Sequence, residues 1–378
     1  MKVPVFLLPF FVGVRFNPLM ERLKHTCTPR FDRATIVRNL PALLVSGALA
    51  DGDMDRRIAS LTERFGIYTS CYPLGLWAPG LAVTREMRHL TEIYLPLDEI
   101  RRAFDRFFAI ACRFSPFIPA STIHNSTDWL DILLRLQPLV SRPDPAFLLR
   151  SLIGEESSRR CFIFANFMPA RYGGGFGRYP GQAELLRRWL GANRSRLAGG
   201  VRCLDAACGS GEGTYELALL LMESGFSAAS IHLHGTTLEP LELFAAAHAH
   251  FPHDPEREAA YRLHVGPLFE SGAAEKISFT LEDLTRPAPA AEKVYDIILC
   301  NGLLGGPFIH DQRELLETVR RLSLRLCVRG ILLAVSRFHG GWKKIASDEM
   351  LREIFRECGL KILPVAEGVA GVRVKGEG

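Results

Sequence analysis

A glycine-rich loop near the middle of the chain contains the residues best suited to hold a ligand against the backbone. It occupies residues 206–213 of the segment VRCLDAACGSGEGTYELALLLMESG at 201–225. Residues 201–206 are mostly apolar, which predicts a strand buried on both faces, and residues 217–222 continue as a helix that ends at Gly225. Gly209, Gly211 and Gly213 have no Cβ to keep a ligand away from the main chain, and the first amides of the helix would point at that ligand. The pattern predicts the first strand-loop-helix unit of a nucleotide-binding type of fold.

The order of residues in this loop separates several kinds of binding site. A phosphate-binding P-loop needs Lys followed by Ser or Thr after its glycines, whereas this chain reads Gly213-Thr214-Tyr215 and offers no cation. The dinucleotide fingerprint G-x-G-x-x-G would need Gly at position 214, so a hydride-transferring Rossmann domain is a second choice. A glycine-rich turn that binds nothing is the remaining alternative.

Residues 204–215 resemble the first motif of the class I S-adenosylmethionine (SAM) methyltransferases, D-x-G-x-G-x-G, with Asp205 at the acid and Ala207 at the first glycine. Within that class, AACGSGEGTY is most similar to the loop A-G-C-S-T-G-E-E-P-Y of the CheR-type chemotaxis-receptor methyltransferases. The resemblance implies SAM as the cofactor. It also implies cofactor contacts from the loop residues Asp205, Ala207, Cys208, Gly209, Gly211 and Glu212. A side chain at Gly211 would then lie where the cofactor touches the backbone.

The resemblance implies a ribose contact after the second strand, because ligands of open α/β sheets lie beyond the carboxyl ends of the strands. This strand ends in Gly235-Thr236-Thr237, where the family has G-T-D with an acid for the ribose hydroxyls. Thr237, and Glu239 two residues later, are the candidates for that contact.

The third and fourth strands are followed by further candidate cofactor residues. Asp283 and Leu284 match the family's acid-leucine pair, whose acid accepts from the adenine amino group, although Asp283 could instead cap a turn. Cys300 and Asn301 follow the fourth strand and match the family segment C-R-N-V-L-I-Y-F at its Asn. Cys300 replaces its Arg, and Gly305 replaces a Tyr of the family's proposed active site. We therefore expect a wider acceptor pocket and no methylation of receptor glutamates.

The candidate catalytic residue is Arg178, in the junction ARYGGGFGRYPGQ at 170–182. Phe176-Gly177-Arg178 matches the family's T-x-F-F-R at the first Phe and at the Arg, which in the family helps to hold the cofactor. We expect Arg178 to contact a carboxylate of the cofactor or of the methyl acceptor; a plain linker is the alternative. The sulfonium of SAM carries the electrophilic methyl group, so positioning the acceptor against this methyl group supplies much of the rate. A carboxylate acceptor is already a nucleophile and needs no base.

Composition limits the possible partners. The chain has 378 residues, of which 48% are hydrophobic and 23% charged, enough for two domains with a large core. The 46 Lys and Arg residues exceed the 41 Asp and Glu residues by 5 and form no block, so no nucleic-acid partner is expected. Nine cysteines without a C-x-x-C pair fit a reducing cytosol, and no metal site is indicated. The apolar run at 3–14 contains two prolines and is shorter than the about 20 residues of a membrane span.

Apolar spacing predicts the fold class. Apolar residues that recur at intervals of three and four positions predict helices at 36–49, 54–66, 84–95, 98–114 and 128–140. A stripe of aromatic residues, expected to be core, lies at Phe104, Phe107, Phe108 and Phe114. From residue 201 onward strands alternate with helices, and two final strands at 360–369 and 371–376 are joined by a turn near Ala370-Gly371.

We therefore expect a mainly helical N-terminal domain of unknown role at 1–169 and a Rossmann-like α/β domain with seven strands at 170–378. The resemblance implies a SAM-dependent methyltransferase that acts on a protein or small-molecule carboxylate. The alternative is a degenerate methyltransferase domain that binds SAM or docks a partner without turnover.

Overall fold

A computed structural model describes residues 27–71, 77–78, 80–137, 139–140, 142–168, 175–286, 294–335 and 344–374. The apolar run at 3–14 and the residues 170–174 of the junction lie outside these ranges. Helices make up the N-terminal half of the described chain, and a sheet with flanking helices makes up the C-terminal half, as the apolar spacing predicts.

The described part of the N-terminal half contains seven α-helices. They are α1 (Arg33–Asn39), α2 (Gly52–Cys71), α3 (Arg85–Tyr94), α4 (Leu97–Ala111), α5 (Trp129–Arg135), α6 (Pro145–Gly154) and α7 (Glu156–Phe167). Helix α1 is shorter than expected because Pro41, which has no amide hydrogen to donate, follows its end. The aromatic stripe on α4 is confirmed as core, since Phe104, Phe107 and Phe108 are fully buried. The sequence analysis did not assign α6 or α7.

The C-terminal half alternates strands and helices. Its elements are α8 (Pro180–Ala192), β1 (Val201–Ala206), α9 (Glu212–Glu223), β2 (Ile231–Thr237), α10 (Pro240–His248), α11 (Pro255–Glu270), β3 (Ile277–Leu281), β4 (Tyr295–Leu299), α12 (Gln312–Leu324), β5 (Leu326–Ala334), α13 (Asp348–Glu357), β6 (Leu360–Leu363) and β7 (Val369–Arg373).

The seven strands form one sheet in the order β3-β2-β1-β4-β5-β7-β6. Strands β1 to β5 are parallel, and β7 runs antiparallel to both of its neighbours. This confirms the α/β Rossmann-like fold with a closing hairpin. Strand order reverses between β1 and β4, so a crevice opens between their carboxyl ends, where ligands of such sheets bind.

The turn of the final hairpin lies earlier than the sequence analysis placed it. Ala370 and Gly371 belong to β7, where they pair with β5 and β6, and the turn occupies residues 364–368. Gly368 is required there because its φ is +74° and a Cβ at this position would collide with the Ala334 carbonyl. The left-handed backbone at Gly368, and not the pair Ala370-Gly371, therefore sets the chain reversal between β6 and β7.

Helix α11 lies between α10 and β3, in a stretch to which the sequence analysis assigned no element. Asp254 caps it by accepting from the Arg257 amide, and Pro255 occupies its first position. Tyr261, Val265 and Leu268, at helical spacing, are the buried residues of this helix. The Asp254 cap and the helical spacing of the buried residues were the sequence signals from which α11 could have been predicted.

The two halves of the chain share contacts and a continuous apolar core. Backbone hydrogen bonds of 2.8 and 2.9 Å pair Cys27 with Phe279 of β3. The Nδ1 atom of His248 at the end of α10 donates to the Arg30 carbonyl at 2.7 Å. None of the helices in the described part of the chain is long and apolar enough to cross a membrane.

Candidate functional site

The loop between β1 and α9 has an unusual backbone that β2 holds in place. Ala207, Gly209 and Gly211 have positive φ angles of 81°, 55° and 91°. The amides of Ala207 and Cys208 both donate to the Thr236 carbonyl, at 2.9 and 2.7 Å. Ala207, at the position of the family's first glycine, therefore keeps the left-handed conformation despite its Cβ.

The three glycines of this loop serve different purposes. A Cβ at Gly209 would meet no atom within 4 Å, so this backbone faces open space. A Cβ at Gly211 would lie 2.9 Å from the Ala246 Cβ, and one at Gly213 would lie 3.1 Å from the Asp205 carboxylate. Gly211 and Gly213 allow close packing of protein against protein, so a side chain at Gly211 would meet Ala246, and its effect on the cofactor stays a prediction.

Asp205, near the end of β1, is a buried carboxylate. Its Oδ2 atom accepts a hydrogen bond of 2.7 Å from the Thr214 hydroxyl on α9. Burial raises the pKa of Asp205 to about 6. The residue ties the strand to the helix, and it adds a titratable group beneath the loop.

Glu212 is the first residue of α9 and forms a buried ion pair. Its Oε1 accepts from Arg257 of α11 at 2.7 Å, and its Oε2 accepts from the Ser210 hydroxyl at 2.7 Å. Arg257 also donates to the Ser210 hydroxyl at 3.0 Å, and the Tyr261 hydroxyl donates to the Ser210 carbonyl at 2.7 Å. Arg257 and Tyr261 thus hold the loop, although no motif in the sequence singled them out.

At the end of β2, a carboxylate from α10 reaches the strand. Thr237 donates its hydroxyl proton to Glu242 at 2.7 Å and accepts from the Glu239 amide at 3.2 Å. Burial raises the pKa of Glu239 to about 8, with a smaller contribution from the neighbouring Glu242, and burial also raises the pKa of Glu242. Thr237 and Glu239 were predicted from the sequence, whereas Glu242, three residues further along, was not.

At the end of β3, Asp283 caps a turn. Its Oδ1 accepts from the amide and hydroxyl of Thr285 at 3.0 and 2.6 Å, and its Oδ2 lies 3.1 Å from Nε of Arg286. The neighbouring Leu284 is half-buried, and its carbonyl accepts from Arg321 of α12 at 3.3 Å. Both residues lie at the sheet edge where the resemblance places the adenine.

At the end of β4, Asn301 forms a reciprocal amide pair with Gln182 of α8. The two bonds between the amides measure 3.1 and 2.9 Å, and Asn301 Oδ1 also accepts from the Val335 amide at 3.1 Å. Cys300 is fully buried, and burial raises the pKa of its thiol. The amide pair fixes the end of β4 to the end of β5 and to the start of α8.

Gly305, at the position of the family's Tyr, packs against the segment that leads into α13. It is buried with a φ of +81°, and a Cβ there would lie 3.3 Å from the Ala346 Cβ and 3.5 Å from Leu351. The missing aromatic side chain therefore does not leave an empty space in this direction, which corrects the expected widening at Gly305.

Arg178 lies in a segment beside α9. The Gly177 amide donates to the carboxylate of Glu216 on α9, and the Phe176 ring stacks on His264 of α11 with centroids 3.8 Å apart. The Arg178 guanidinium lies over the Tyr179 ring at 4.9 Å, and its side chain is half-exposed. The segment thus lies next to the helix that starts from the loop.

Metal binding has no support among the residues that the structure describes, where no group of three or more His, Cys, Asp or Glu side chains could hold an ion. All nine cysteines fall within the described ranges, where they form no disulfide bond. The ends of β1, β2, β3 and β4 instead bring carboxylates, the open backbone of Gly209 and Asn301 to one edge of the sheet. This edge suits a ligand with cationic and hydroxyl groups.

Comparisons with known proteins found one curated relative and several solved structures that are similar to this chain. No protein-family model matches the chain. The probable biofilm formation methyltransferase WspC of Pseudomonas putida is 25% identical over 213 residues, which are 53% of this chain and 46% of WspC. The chain therefore spans about half the length of this curated relative.

Solved structures of two methyltransferases also match. Magnesium protoporphyrin IX methyltransferase (ChlM) from Synechocystis PCC 6803 with bound SAM is 18% identical, with a TM-score of 0.34, covering 54% of this chain and 88% of that one. The N-methyltransferase NodS from Bradyrhizobium japonicum WM9 is 14% identical, with a TM-score of 0.33, covering 52% of this chain and 99% of that one.

The strand order, the loop after β1 and the match to WspC support one conclusion. The C-terminal half of the chain has a Rossmann-like sheet of seven strands closed by a hairpin, as the sequence predicts, and the chain is similar in sequence to a probable methyltransferase.

Proposed function

We propose that the chain is a CheR-like SAM-dependent methyltransferase whose acceptor is a carboxylate on a protein or a small molecule. The observation that carries the proposal is Gly209, whose backbone faces open space at the carboxyl end of the central strand β1. Around it lie the carboxylates of Asp205, Glu212 and Glu242. SAM, when bound, supplies a methyl group on a cationic sulfonium, and carboxylates complement that charge.

The residues of this edge would bind and orient the cofactor. The backbone at 207–209 would let the cofactor approach closely. Thr237, Glu239 and Glu242 follow β2 and would contact the ribose, and the candidates for the adenine follow β3 and β4: Asp283, Leu284, Cys300 and Asn301. The main task of the protein is to hold the acceptor in line with the methyl group in a site that excludes water.

The match of Arg178 to the arginine of the family's T-x-F-F-R segment supports an acid-bearing acceptor. The Arg178 guanidinium lies 4.9 Å from the Tyr179 ring centroid, and a guanidinium has the forked N–H donors that suit a carboxylate. A carboxylate nucleophile is already ionised at neutral pH, so the site needs no general base. Arg178→Lys should therefore lower transfer to an acidic acceptor and leave transfer to a neutral one unchanged.

Transfer of a tritiated methyl group from SAM into a cell lysate tests this function. Counts that are released by mild base would identify methyl esters of carboxylates, and base-stable counts would identify another acceptor class. Chemoreceptor peptides should gain no label. Binding of SAM with no labelled product in any lysate fraction would favour the alternative of a SAM-binding module without turnover.

A further inference from the structure

The chain between α10 and α11 contains three histidines and is held by the helical half of the protein. It comprises residues 248–254, the histidine segment. Nδ1 of His248 donates to the Arg30 carbonyl at 2.7 Å, and Nε2 of His248 lies 3.2 Å from the side-chain amide of Asn39, at the end of α1. Because Nδ1 carries the proton, Nε2 accepts from Asn39 and the ring is neutral in this arrangement.

The other end of the histidine segment is bound to α7. Nε2 of His253 donates to the Met168 carbonyl at 2.8 Å, and the Cys161 thiol donates to the Pro252 carbonyl at 3.1 Å. Nδ1 of His253 is buried and forms no hydrogen bond with the described residues. A proton added to this nitrogen would be a buried donor without a partner, which is unfavourable.

The third histidine, His250, lies between these contacts and faces an acid. Its Nδ1 lies 3.3 Å from Oε2 of Glu258 on α11. Its ring packs against Phe164 of α7 and Phe244 of α10, with centroids 5.7 and 5.8 Å apart. Aromatic rings from both halves of the chain thus enclose the segment.

The surroundings keep His248 and His253 uncharged near neutral pH. Burial is the largest influence, and it lowers the pKa of His253 to about 4 and also lowers the pKa of His248. The charged and titratable groups around the segment have mixed signs: Asp32, Asp254 and Glu258 are acids, and Arg160, His250, Arg257 and Arg262 are bases. No excess of acids therefore offsets the burial of the two rings.

The histidine segment also contacts the residues that support the loop after β1. Asp254 caps α11, and the Phe251 ring lies 4.1 Å from the Arg257 guanidinium. Arg257 and Tyr261, both on α11, donate to Ser210 of the loop. A continuous set of contacts therefore joins the helical half to this loop through the histidine segment.

We propose that the histidine segment is a proton-sensitive connection by which the helical half holds the loop after β1, and that protonation of His248 and His253 releases the segment and loosens the loop. A released imidazole is solvated and regains its ordinary pKa of 6.5, so it takes up a proton that the closed segment excludes. The closed arrangement is favoured fully above about pH 6.5, and this advantage is lost as the pH falls towards 4. For His253 alone, a fall from about pH 7.5 to about pH 5.5 should raise the ratio of released to closed segment about tenfold.

Hydrogen exchange of the ligand-free protein at about pH 7.5 and about pH 5.5, corrected for the intrinsic exchange rate, tests the proposal. Peptides that cover residues 206–217 and 248–256 should exchange about tenfold faster or more at the lower pH. Peptides from α4 and β5, in the cores of the two halves, should keep their protection. The measurement needs no cofactor, so its outcome is independent of the proposed methyltransferase function.

Two amide substitutions keep the hydrogen bonds and remove the charge. The Asn side chain in His248→Asn can donate to the Arg30 carbonyl, and the Gln side chain in His253→Gln can donate to the Met168 carbonyl. The double variant should lose the acid-induced increase in both peptides. His232→Gln, at an exposed position of β2, is the matched control and should behave as the parent does.

A substitution in the helical half tests the direction of the coupling. In Asn39→Asp a carboxylate would face His248 and stabilise its charged form in the closed segment. The increase in exchange at residues 206–217 should therefore shift to lower pH. An unchanged pH dependence would overturn the role of the helical half in holding the loop.

Three further results would overturn the proposal. An equal increase in the parent and in the double variant would assign the acid effect to other groups. Faster exchange at 248–256 with unchanged exchange at 206–217 would show that the segment does not hold the loop. Loss of protection in α4 and β5 at the same pH would show global acid unfolding. If the double variant does not fold, His253→Gln alone decides, since it should remove about tenfold of the increase.

Discussion

The hydroxyl of Thr237 donates its proton to the carboxylate of Glu242, with 2.7 Å between Oγ1 and Oε2. Strand β2 thus ends on a threonine, while the carboxylate comes from the first turn of α10. Since a hydroxyl has one proton, Thr237 cannot also donate to a ligand while this bond exists. Glu242 is therefore the acceptor best placed to replace the missing strand-end acid.

Glu242→Gln should weaken S-adenosylhomocysteine by about 1.5–3 kcal/mol, the range for a hydrogen bond to a charged group. Glu239→Gln should have a smaller effect near pH 7, because a pKa of about 8 leaves the Glu239 carboxyl mostly protonated and uncharged. Calorimetry on both variants checks this order. A larger loss for Glu239→Gln would assign the contact to Glu239 instead.

Strands and helices could be predicted from the sequence where the pattern of buried apolar residues alone sets their position. Strand β1 was predictable because it is buried on both faces, and helix α4 because its aromatic residues recur at helical spacing. Helix α11 was missed because its three buried residues lie among polar ones and next to Gly266 and Pro267.

The site was harder to predict than the fold because it depends on contacts between distant residues. The sequence shows that Gly211 is a glycine, but only the packing shows that Ala246 and Tyr261 occupy the place of its side chain. Arg257 belongs to no motif, and it reaches Glu212 across 45 residues of chain. Pairing of this kind leaves no signal in local spacing.

Ala207→Gly should stabilise the protein by about 0.5–1 kcal/mol. Ala207 has a φ of 81°, which costs a residue with a Cβ about 1–2 kcal/mol, and the greater freedom of glycine in the unfolded chain offsets part of the gain. Urea denaturation measures the change. Ala206→Gly, in the regular backbone of β1, is the control and should destabilise the protein. A less stable Ala207→Gly protein would contradict the idea that the positive φ of Ala207 is strained.

The contribution of Glu239 to the free energy of unfolding of the ligand-free protein should fall as the pH rises from about 4.5 to about 8. The pKa of Glu239 is raised from 4.5 to about 8, so the folded state binds this proton more tightly than the unfolded chain does. The stabilisation is complete below the unfolded pKa and is lost as the pH passes the folded one. Asp205, with a pKa raised to about 6, acts in the same direction over a narrower range.

Glu239→Gln should flatten this decline, so that the variant gains stability relative to the parent as the pH rises. Denaturation in urea at about pH 5 and about pH 8.5 provides the comparison. Glu184→Gln, at an exposed position of α8, should leave the decline unchanged. Parallel pH profiles for the parent and Glu239→Gln would mean that Glu239 is ionised in the folded protein.

Gln182 and Asn301 should be energetically coupled. Each amide satisfies the other through two hydrogen bonds, so that either alanine variant leaves the partner amide unpaired. A double-mutant cycle of unfolding free energies with Gln182→Ala and Asn301→Ala should give a coupling of about 0.5–3 kcal/mol. A coupling near zero would show that the end of β4 does not depend on α8.

The most direct test of the cofactor site is the affinity of S-adenosylhomocysteine for Gly209→Asn, measured by calorimetry beside Gly272→Asn. Both glycines have positive φ angles, 55° and 76°, and a Cβ at either would meet no atom within 4 Å. Asn tolerates this conformation, and Gly272 lies before β3 at the opposite edge of the sheet. We expect the parent and Gly272→Asn to bind equally and Gly209→Asn to bind at least about tenfold more weakly, because its side chain would fill the open face. Equal binding by all three proteins, or no binding by the parent, would contradict a SAM site at this loop.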